Sequence, residues 1–544
     1  MIFKNLANNI NQIYIFLEIK FHGFYLNSNI YNKKISRVNN KNLEYRPSPI
    51  LLDCLIKNKS RKDKIEDFYL NTVWDNKKLK DKDYKNLHSF FWLFSLNLKS
   101  SKQDIQKIIL NWINSNNKYS SKNWDINTLS KRVISWISNA KLTYEDSDQS
   151  YKEKIDTIIL KQINHLINEI EKSDWIDEKM IGCATIILAG LSYKEKTKYL
   201  DVGYDLLKKI IKNSLNDEGF PQSRNIRQLN FYLKYFVLIR EWLKESQTEI
   251  PEYIDEAIYY LGQAYFLTSQ NIKNTILFNG NYESINDNLD KYLTRLGYTF
   301  KNENREIGGY AILKNKKISL IMDVGPSPEK KKSDNYQAGA LSFEIISNNK
   351  KLICNSGYYK KHKHQLNYLS KSTASHSSLI LDNQSSCKFK KDKDGSSKIE
   401  QGLKITNKSI IFEKNYWNVE SEHDGYIKNY GVLHNRKIEF FANQNKFLGT
   451  DRLIKKKSFE KLNFEIRFHL MPNTKVMKTQ NNKSILIEIE NEGWKFTCDN
   501  HKINIETGLF FGKKNSYKEN QNIFISGMTH NENQIIKWEL IKIT

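Results

Sequence analysis

Cysteine and proline are scarce in this sequence of 544 residues, which has 5 Cys and 7 Pro. The cysteines are odd in number, widely spaced and without a C-x-x-C pair, which argues against a disulfide framework and fits a reducing compartment. No apolar run reaches the roughly 18 residues of a membrane-spanning helix. The first residues lack the apolar core and cleavage site of a signal peptide. We therefore expect a cytoplasmic protein without a membrane span, with the periplasm or cell envelope as the alternative.

Several catalytic signatures are also missing. The sequence contains no G-x-S-x-G, P-loop, G-x-G-x-x-G or H-E-x-x-H, and neither a zinc-finger spacing nor an RNA-binding aromatic signature. The enzyme and binding classes that these motifs mark are not indicated. Short polar clusters at the ends of predicted helices and strands remain as candidates.

Positive charge is abundant. The chain has 86 Lys and Arg against 61 Asp and Glu, a net charge of +25. A basic surface attracts nucleic acid, acidic lipid or acidic polysaccharide, although lysines scattered along the whole chain also fit a compositional bias. Nucleic-acid binding rests on charge alone, and we predict no nucleic-acid partner.

The spacing of apolar residues changes near residue 300. Before that point it is helical, as in the run Ile105, Ile108, Ile109, Trp112 and Ile113. We predict helices over 87–99, 127–141, 154–171, 179–192, 196–214 and 252–268. After about residue 305 the pattern alternates, as in F-E-I-R-F-H-L from Phe464 to Leu470. Helices followed by antiparallel sheets packed as a sandwich are therefore the predicted fold class.

Four polar clusters carry the candidate functional residues. Arg224 and Asn225 in S-R-N precede a predicted helix, a position that favours anions but also suits simple capping. His376 lies in S-T-A-S-H-S-S-L-I-L-D, where we interpret the small neighbours as leaving room for a substrate beside the ring; a structural histidine is the alternative. The third cluster is N-Y-Q-A-G, and the fourth is H-D-G-Y with G-V-L-H-N-R close behind it. Their candidates are Tyr336, Gln337, His423, Tyr426, His434 and Arg436. Hairpin pairing is expected to bring the last two stretches together.

Seven stretches, in this order, resemble the heparinase II/III-like family of polysaccharide lyases and their relatives. They are L-H-S-F-F-W-L (87–93), R-V-I-S-W (132–136), S-R-N (223–225), A-G-A-L-S-F-E (338–344), S-T-A-S-H-S-S-L-I-L-D (372–382), H-D-G-Y (423–426) and R-F-H-L (467–470). The resemblance implies an incomplete (α/α) toroid followed by an antiparallel β-sandwich. On that basis 1–85 is a helical extension or the start of the toroid, 86–275 the toroid, 276–304 a linker and 305–544 the sandwich.

The resemblance also implies a chemistry, the β-elimination of an acidic polysaccharide at a uronic acid by a carbon–oxygen lyase. One group neutralises the C5 carboxylate, a base removes the C5 proton and an acid protonates the leaving oxygen. His376 matches the sandwich-domain histidine of the family, and Tyr336 or Tyr232 would be the partner tyrosine. The predicted substrate-binding residues are Arg224, Asn225, Gln337, His423, Tyr426, His434 and Arg436.

Three departures from the family pattern keep a second function open. The region 174–182 has no Asn-His pair, I-R-Q-L (226–229) has no Tyr, and Gln337 stands where a His often precedes A-G. A non-catalytic protein that binds acidic glycan in the same cleft is therefore the alternative. No cofactor is predicted; for a structural zinc, His434 would be the first ligand, with His423 or Asp394 nearby.

Overall fold

The computed structural model describes residues 14, 16–37, 42–52, 74, 79–96, 101–193, 197–283, 288–361, 363–391, 396–457, 461–480, 483–530 and 533–543. Much of the predicted extension 1–85, and Asp394, lie outside the described residues. Internal contacts divide the chain into two compact units. One comprises Met1–Asn213 with Lys234–Glu256, and the other comprises Ser214–Leu233 with Ala257–Thr544. This division into two units does not test the four predicted domain ranges, which stay a prediction.

Helices make up the described part of the chain before residue 300. They are α1 (16–26), α2 (Asn29–Ile35), α3 (Asp81–His88), α4 (Lys102–Asn116), α5 (Ile126–Ser138), α6 (Ala140–Thr143), α7 (Gln149–Glu169), α8 (Ile176–Ser192), α9 (Thr197–Ser214), α10 (Ile226–Glu245), α11 (Glu252–Tyr265) and α12 (Leu289–Arg295). Ser101, Asp125 and Asp148 each cap a helix by accepting the backbone N–H three residues ahead. Such caps satisfy donors that a helix start leaves open.

Helix α8 lies in the core of the first unit, because all its residues from Met180 to Ser192 are buried. A helix that is apolar on every side requires neighbours on every side. The helix predicted over 87–99 is wrong. Helix α3 ends at His88 because Phe90 adopts a left-handed φ of 55°, and a 3-10 turn over Phe91–Ser95 follows.

Antiparallel strands make up most of the chain after residue 305. They are β1 (Glu306–Ile307), β2 (Tyr310–Lys314), β3 (Ile318–Asp323), β4 (Phe343–Ser347), β5 (Lys350–Ile353), β6 (Leu379–Leu381), β7 (Lys388–Lys391), β8 (Ser397–Gln401), β9 (Ile405–Phe412), β10 (Tyr416–Tyr426), β11 (Val432–Phe441), β12 (Lys446–Lys455), β13 (Asn463–His469), β14 (Lys475–Lys478), β15 (Ser484–Ile489), β16 (Glu492–Cys498), β17 (Lys502–Phe510), β18 (Lys518–Met528) and β19 (Gln534–Lys542). Two short helices interrupt them, α13 (Gln365–Lys371) and α14 (Ile427–Tyr430). The predicted fold class, helices followed by antiparallel sheets, is confirmed.

The strands form four sheets. Their orders are β1-β2-β3-β4-β5, β14-β15-β16-β19-β12-β11-β10-β9, β17-β18-β13-β6 and the pair β7-β8. The alternation predicted for β13 is present, because Phe464, Ile466 and Phe468 are buried while the residues between them are partly exposed. Phe468 lies edge-on to Trp538 of β19, with ring centroids 5.0 Å apart. One hydrophobic core therefore joins the large sheets.

Part of the range predicted as a linker packs within the second unit. Leu277 and Phe278 are buried, and the N–H of Leu277 donates to the Glu344 carboxylate at 3.1 Å. Residues 284–287 lie outside the described residues. In the described ranges, no helix has the length and apolar composition needed to cross a membrane.

Candidate functional site

His376 lies just before β6, where the 3-10 turn Thr373–Ser375 ends. Its Nδ1 is 2.9 Å from the carbonyl oxygen of Ser372, and because a carbonyl can only accept, Nδ1 carries the proton. Nε2 therefore presents a lone pair, which is buried and has no hydrogen-bond partner among the described groups. Burial lowers the pKa of His376 to about 4. The ring is thus neutral at pH 7, with Nε2 able to accept a proton.

The small residues around His376 do not leave open space beside the ring. Their hydroxyls donate to main-chain carbonyls, Thr373 to Ala338, Ser375 to Leu369, Ser377 to Cys354 and Ser378 to Ala340. The imidazole is 1% exposed, and a Cβ added to Gly339 would lie 2.6 Å from its Cδ2. The interpretation of room for a substrate beside the ring is therefore wrong. The hydroxyls tie the stretch to the sheets, and Gly339 allows the backbone to approach the ring.

Asn225 and Gln337 are brought together by Gly280. The N–H of Gly280 donates to Oε1 of Gln337 at 2.9 Å, and a Cβ on Gly280 would lie 2.7 Å from Nδ2 of Asn225. The amide nitrogen of Gln337 donates to two further carbonyls, those of Gly357 and Ser370. Oδ1 of Asn225 accepts the first backbone N–H groups of α10, so the capping that was the alternative for S-R-N takes place.

Arg224 uses all of its guanidinium donors within the second unit. Its side chain donates to the carbonyls of Gly308, Gly309, Gly325 and Pro326 and to Oδ1 of Asp323. The ion pair with Asp323, at 2.7 Å, is buried. Its backbone φ is 59°, a left-handed conformation that non-glycine residues adopt rarely. Arg224 therefore fastens the turn before α10 to the β1–β5 sheet, and its predicted role in substrate binding stays a prediction.

The two candidate tyrosines are both buried. Tyr336 packs in a small cluster with Cys387, and its hydroxyl makes no hydrogen bond of ordinary geometry among the described groups. Burial raises the pKa of Tyr336 well above its usual value, so the hydroxyl keeps its proton. Tyr232 is fully buried in α10. Their catalytic roles stay predictions.

The predicted hairpin brings His423 and His434 together. The two residues are directly opposite on β10 and β11, and His423 Nε2 lies 3.3 Å from His434 Nδ1. The N–H of Gly425 donates to His423 Nδ1 at 3.1 Å, so the neutral ring of His423 carries its proton on Nε2 and donates it to His434. His434 then donates through Nε2 to Oδ1 of Asp451 at 2.8 Å. In this series of hydrogen bonds, each ring's proton position is set by the group beside it.

Asp451 is the final acceptor in the series of hydrogen bonds from His423 through His434. Besides His434, it accepts Arg436 Nε at 2.8 Å and Trp538 Nε1 at 3.1 Å. Burial alone would raise the pKa of Asp451, but the Arg436 charge and the His434 hydrogen bond outweigh it and hold that pKa at about 2. Burial lowers the pKa of both histidines, so both are neutral and the ion pair is Arg436 with Asp451.

Arg436 connects this network to the His376 stretch. Its Nη1 donates to the carbonyls of Ser377 and Leu341 at 2.7 and 2.9 Å. Tyr426, in H-D-G-Y, donates through its hydroxyl to the carbonyl of Leu379 at 2.9 Å. His423, His434 and Arg436 thus form one hydrogen-bonded network with Asp451, which reaches the His376 stretch through Arg436.

Comparison with known proteins agrees with this architecture. Residues 304–539 match the family described as Heparinase II/III-like, C-terminal. The region 304–539 is therefore a heparinase II/III-like C-terminal domain. A crystal structure of heparinase III is similar over 94% of this chain and 88% of that one, with a TM-score of 0.70 and 15% identity. The heparan sulfate lyase HepC from Pedobacter heparinus covers 94% and 87%, with a TM-score of 0.67 and 13% identity. At such identities the likeness shows the fold, a toroid followed by a β-sandwich.

A curated relative is FtsZ-localized protein C of Caulobacter vibrioides (strain NA1000 / CB15N), which is 26% identical over 250 residues. The match covers 43% of this chain and 42% of that relative's length. The chain thus spans about two fifths of the relative's length, and the likeness carries no activity to this chain.

The described residues around His434 do not fit a zinc ion. Both ring nitrogens of His434, the proposed first ligand, are occupied by His423 and Asp451. In the part of the chain that the structure describes, no three His, Cys, Asp or Glu side chains converge as metal ligands. Asp394, the other suggested ligand, lies outside that part. We derive no step of the chemistry from a metal.

The sequence interpretation missed two residues of this part of the structure. Asp451 lies outside the polar clusters that were singled out, and no local signal marks it. His469 lies within R-F-H-L but received no role; its Nε2 is 2.9 Å from the carbonyl of Ala374, and its N–H donates to Ser377 Oγ at 2.9 Å.

The stability of the protein is expected to fall as pH drops from about 6.5 to about 4. Burial lowers the pKa of His376 and His165 to about 4 and that of His88 and His469 to about 3. In this window the unfolded chain binds protons that the folded chain excludes, which costs about 1.4 kcal/mol per pH unit for each histidine. Asp156, whose burial raises its pKa to about 6, acts in the opposite direction.

Urea unfolding at several pH values between 7 and 4.5 measures this slope. His165→Asn should reduce the slope by the contribution of one histidine. A free energy of unfolding that is constant over the window would contradict the prediction.

Proposed function

We propose that this heparinase II/III-like protein is a polysaccharide lyase that cleaves a uronate-containing glycan by β-elimination. The observation that supports this most is the state of His376. Its tautomer is set by the carbonyl of Ser372, and its Nε2 lone pair is buried without a partner among the described groups. A neutral imidazole with an unused lone pair is suited to accept the C5 proton of a uronate.

The other steps of the elimination are assigned to Tyr336 and Asn225. The hydroxyl of Tyr336 keeps its proton, and Tyr336 is assigned to protonate the leaving oxygen. Asn225, beside Gly280 and Gln337, is assigned to the uronate carboxylate, because neutral amide donors stabilise the charge that develops there. The acidic polysaccharide partner is part of the same proposal, and the net charge of +25 favours it.

One observation favours a second candidate function, the binding of acidic glycan without cleavage. His376 and Tyr336 are each 1% exposed, and Arg224 and Gln337 donate to protein groups instead of presenting their donors. A protein that has kept the fold and its internal hydrogen bonds without turnover would have the same features. The two functions can be distinguished because only the lyase forms an unsaturated uronate product.

The test is incubation with a panel of uronate-containing polysaccharides, monitored by the ultraviolet absorbance of the unsaturated uronate product. Because the cytoplasmic location and its envelope alternative stay predictions, the panel includes intracellular and envelope glycans. Product formation by the wild-type protein supports the lyase. Binding by calorimetry without product supports the second function, and the absence of both across the panel contradicts both.

A further inference from the structure

Helix α1 has its apolar side on the outside. At 100° per residue, His22 and Leu26 lie on one side of the helix, and they face the protein. His22 Nε2 is 2.6 Å from Oε2 of Glu169, and Leu26 is buried. On the opposite side Phe16, Phe21 and Phe24 are 56%, 70% and 72% exposed. A helix that packs on a protein normally shows the reverse arrangement.

This exposed apolar surface is concentrated and not scattered. Of the 19 exposed large hydrophobic residues in the described chain, 8 lie between residues 14 and 30. They are Tyr14, Phe16, Leu17, Ile19, Phe21, Phe24, Tyr25 and Ile30. Single exposed apolar residues need no explanation, but eight within 17 residues make an exposed apolar segment of the kind that marks a binding surface.

The charges around the patch are positive. Residues 14–37 contain Lys20, Lys33, Lys34 and Arg37 against the single acid Glu18. Lys20 lies on the exposed side of α1, with Nζ 5.0 Å from the centre of the Phe16 ring. A lysine within an apolar face can extend its ammonium group to a polar boundary while its methylene chain stays buried. Lys33 and Lys34 are exposed at the end of α2.

We propose that α1, with the basic end of α2, binds the surface of an anionic lipid bilayer. The phenylalanine face enters the boundary between headgroups and acyl chains, and the lysines contact the anionic headgroups. A second copy of this chain fits the patch less well, because pairing two copies would bring eight basic residues together with only two acids, the Glu18 of each copy. The inference is independent of the proposed lyase activity, because it uses residues of α1 and α2 only.

Co-sedimentation of the full chain with phospholipid vesicles tests the proposal. We expect binding to vesicles of phosphatidylcholine mixed with phosphatidylglycerol and much weaker binding to phosphatidylcholine alone. Phe21→Ser with Phe24→Ser should weaken binding by about tenfold or more, because two large apolar side chains no longer leave water. Lys33→Gln with Lys34→Gln should weaken it by about tenfold on anionic vesicles only.

Matched variants control for general effects of exposed residues. Tyr259→Ser with Ile411→Ser removes two exposed apolar side chains elsewhere, and Lys316→Gln with Lys317→Gln removes two exposed neighbouring lysines; both should bind as the wild type does. Hydrogen exchange of the unaltered chain should show vesicle-dependent protection in residues 16–26, which keeps the test decisive if a variant fails to fold. Absence of vesicle binding overturns the proposal, and so does a wild-type dimer that the Phe21→Ser, Phe24→Ser variant dissociates.

Discussion

His376→Asn is expected to lower the rate of product formation by about 10²–10⁴-fold while the fold is retained. Asparagine places an amide nitrogen near the position of Nδ1, so the hydrogen bond to the carbonyl of Ser372 can persist. It has no counterpart of Nε2, so the lone pair assigned to proton removal is lost. Alanine is a poorer probe, because truncating a buried side chain leaves a cavity and destabilises the fold.

His165→Asn is the matched control for this experiment. His165 is buried to a similar degree, and burial lowers its pKa to about 4, as for His376. Its Nδ1 lies 2.7 Å from the hydroxyl of Tyr31, so it has a structural partner in the helical unit. This variant should lose stability and keep the rate per folded molecule. Equal rates for His376→Asn and the wild type would remove His376 from the mechanism.

Asp451→Ala is expected to lower the free energy of unfolding by about 3–5 kcal/mol. The change leaves the buried guanidinium of Arg436 without its counter-charge, and it removes the acceptor of His434 and of Trp538. Unpaired buried charge is far more costly than a missing surface contact. Urea unfolding monitored by tryptophan fluorescence measures the loss, and Trp538 itself reports on this site.

Glu488→Ala is the matched control, because it also removes one carboxylate from a β-strand ion pair. Glu488 pairs with Lys475 at 2.9 Å, but both side chains are more than half exposed, so the expected loss is about 0–1 kcal/mol. If both variants unfold at the same urea concentration, the buried network does not stabilise the fold. Asp451→Asn, which keeps an acceptor oxygen but not the charge, should fall between the wild type and Asp451→Ala.

Sequence periodicity was sufficient to predict the order of the secondary structure. The helical spacing from Ile105 to Ile113 corresponds to the buried face of α4, and the alternation from Phe464 corresponds to β13. Both patterns are local, since side chains of one element share a face at a fixed spacing. The helix predicted over 87–99 fails for an equally local reason, the left-handed φ of Phe90, which neither its residue type nor the pattern indicates.

The motifs that carry the family resemblance also contact one another in the structure. Arg132 of R-V-I-S-W donates to the carbonyl of His88 in L-H-S-F-F-W-L. Ser378 of the His376 stretch donates to the carbonyl of Ala340 in A-G-A-L-S-F-E. These stretches, distant in sequence, are therefore joined by hydrogen bonds within the fold, while their catalytic roles stay predictions.

The sequence by itself determined the helical and β-rich regions and the residue types available for acid–base chemistry, because both depend on neighbours along the chain. The tertiary structure alone decided which of those side chains have hydrogen-bond donors or acceptors that the protein itself does not use. Arg224 is occupied by groups from residues 308–326, Asp451 joins His434 through the β11–β12 pairing, and Nε2 of His376 is left with its lone pair. These outcomes depend on strand register and on contacts between distant residues, and a local pattern carries no information about either.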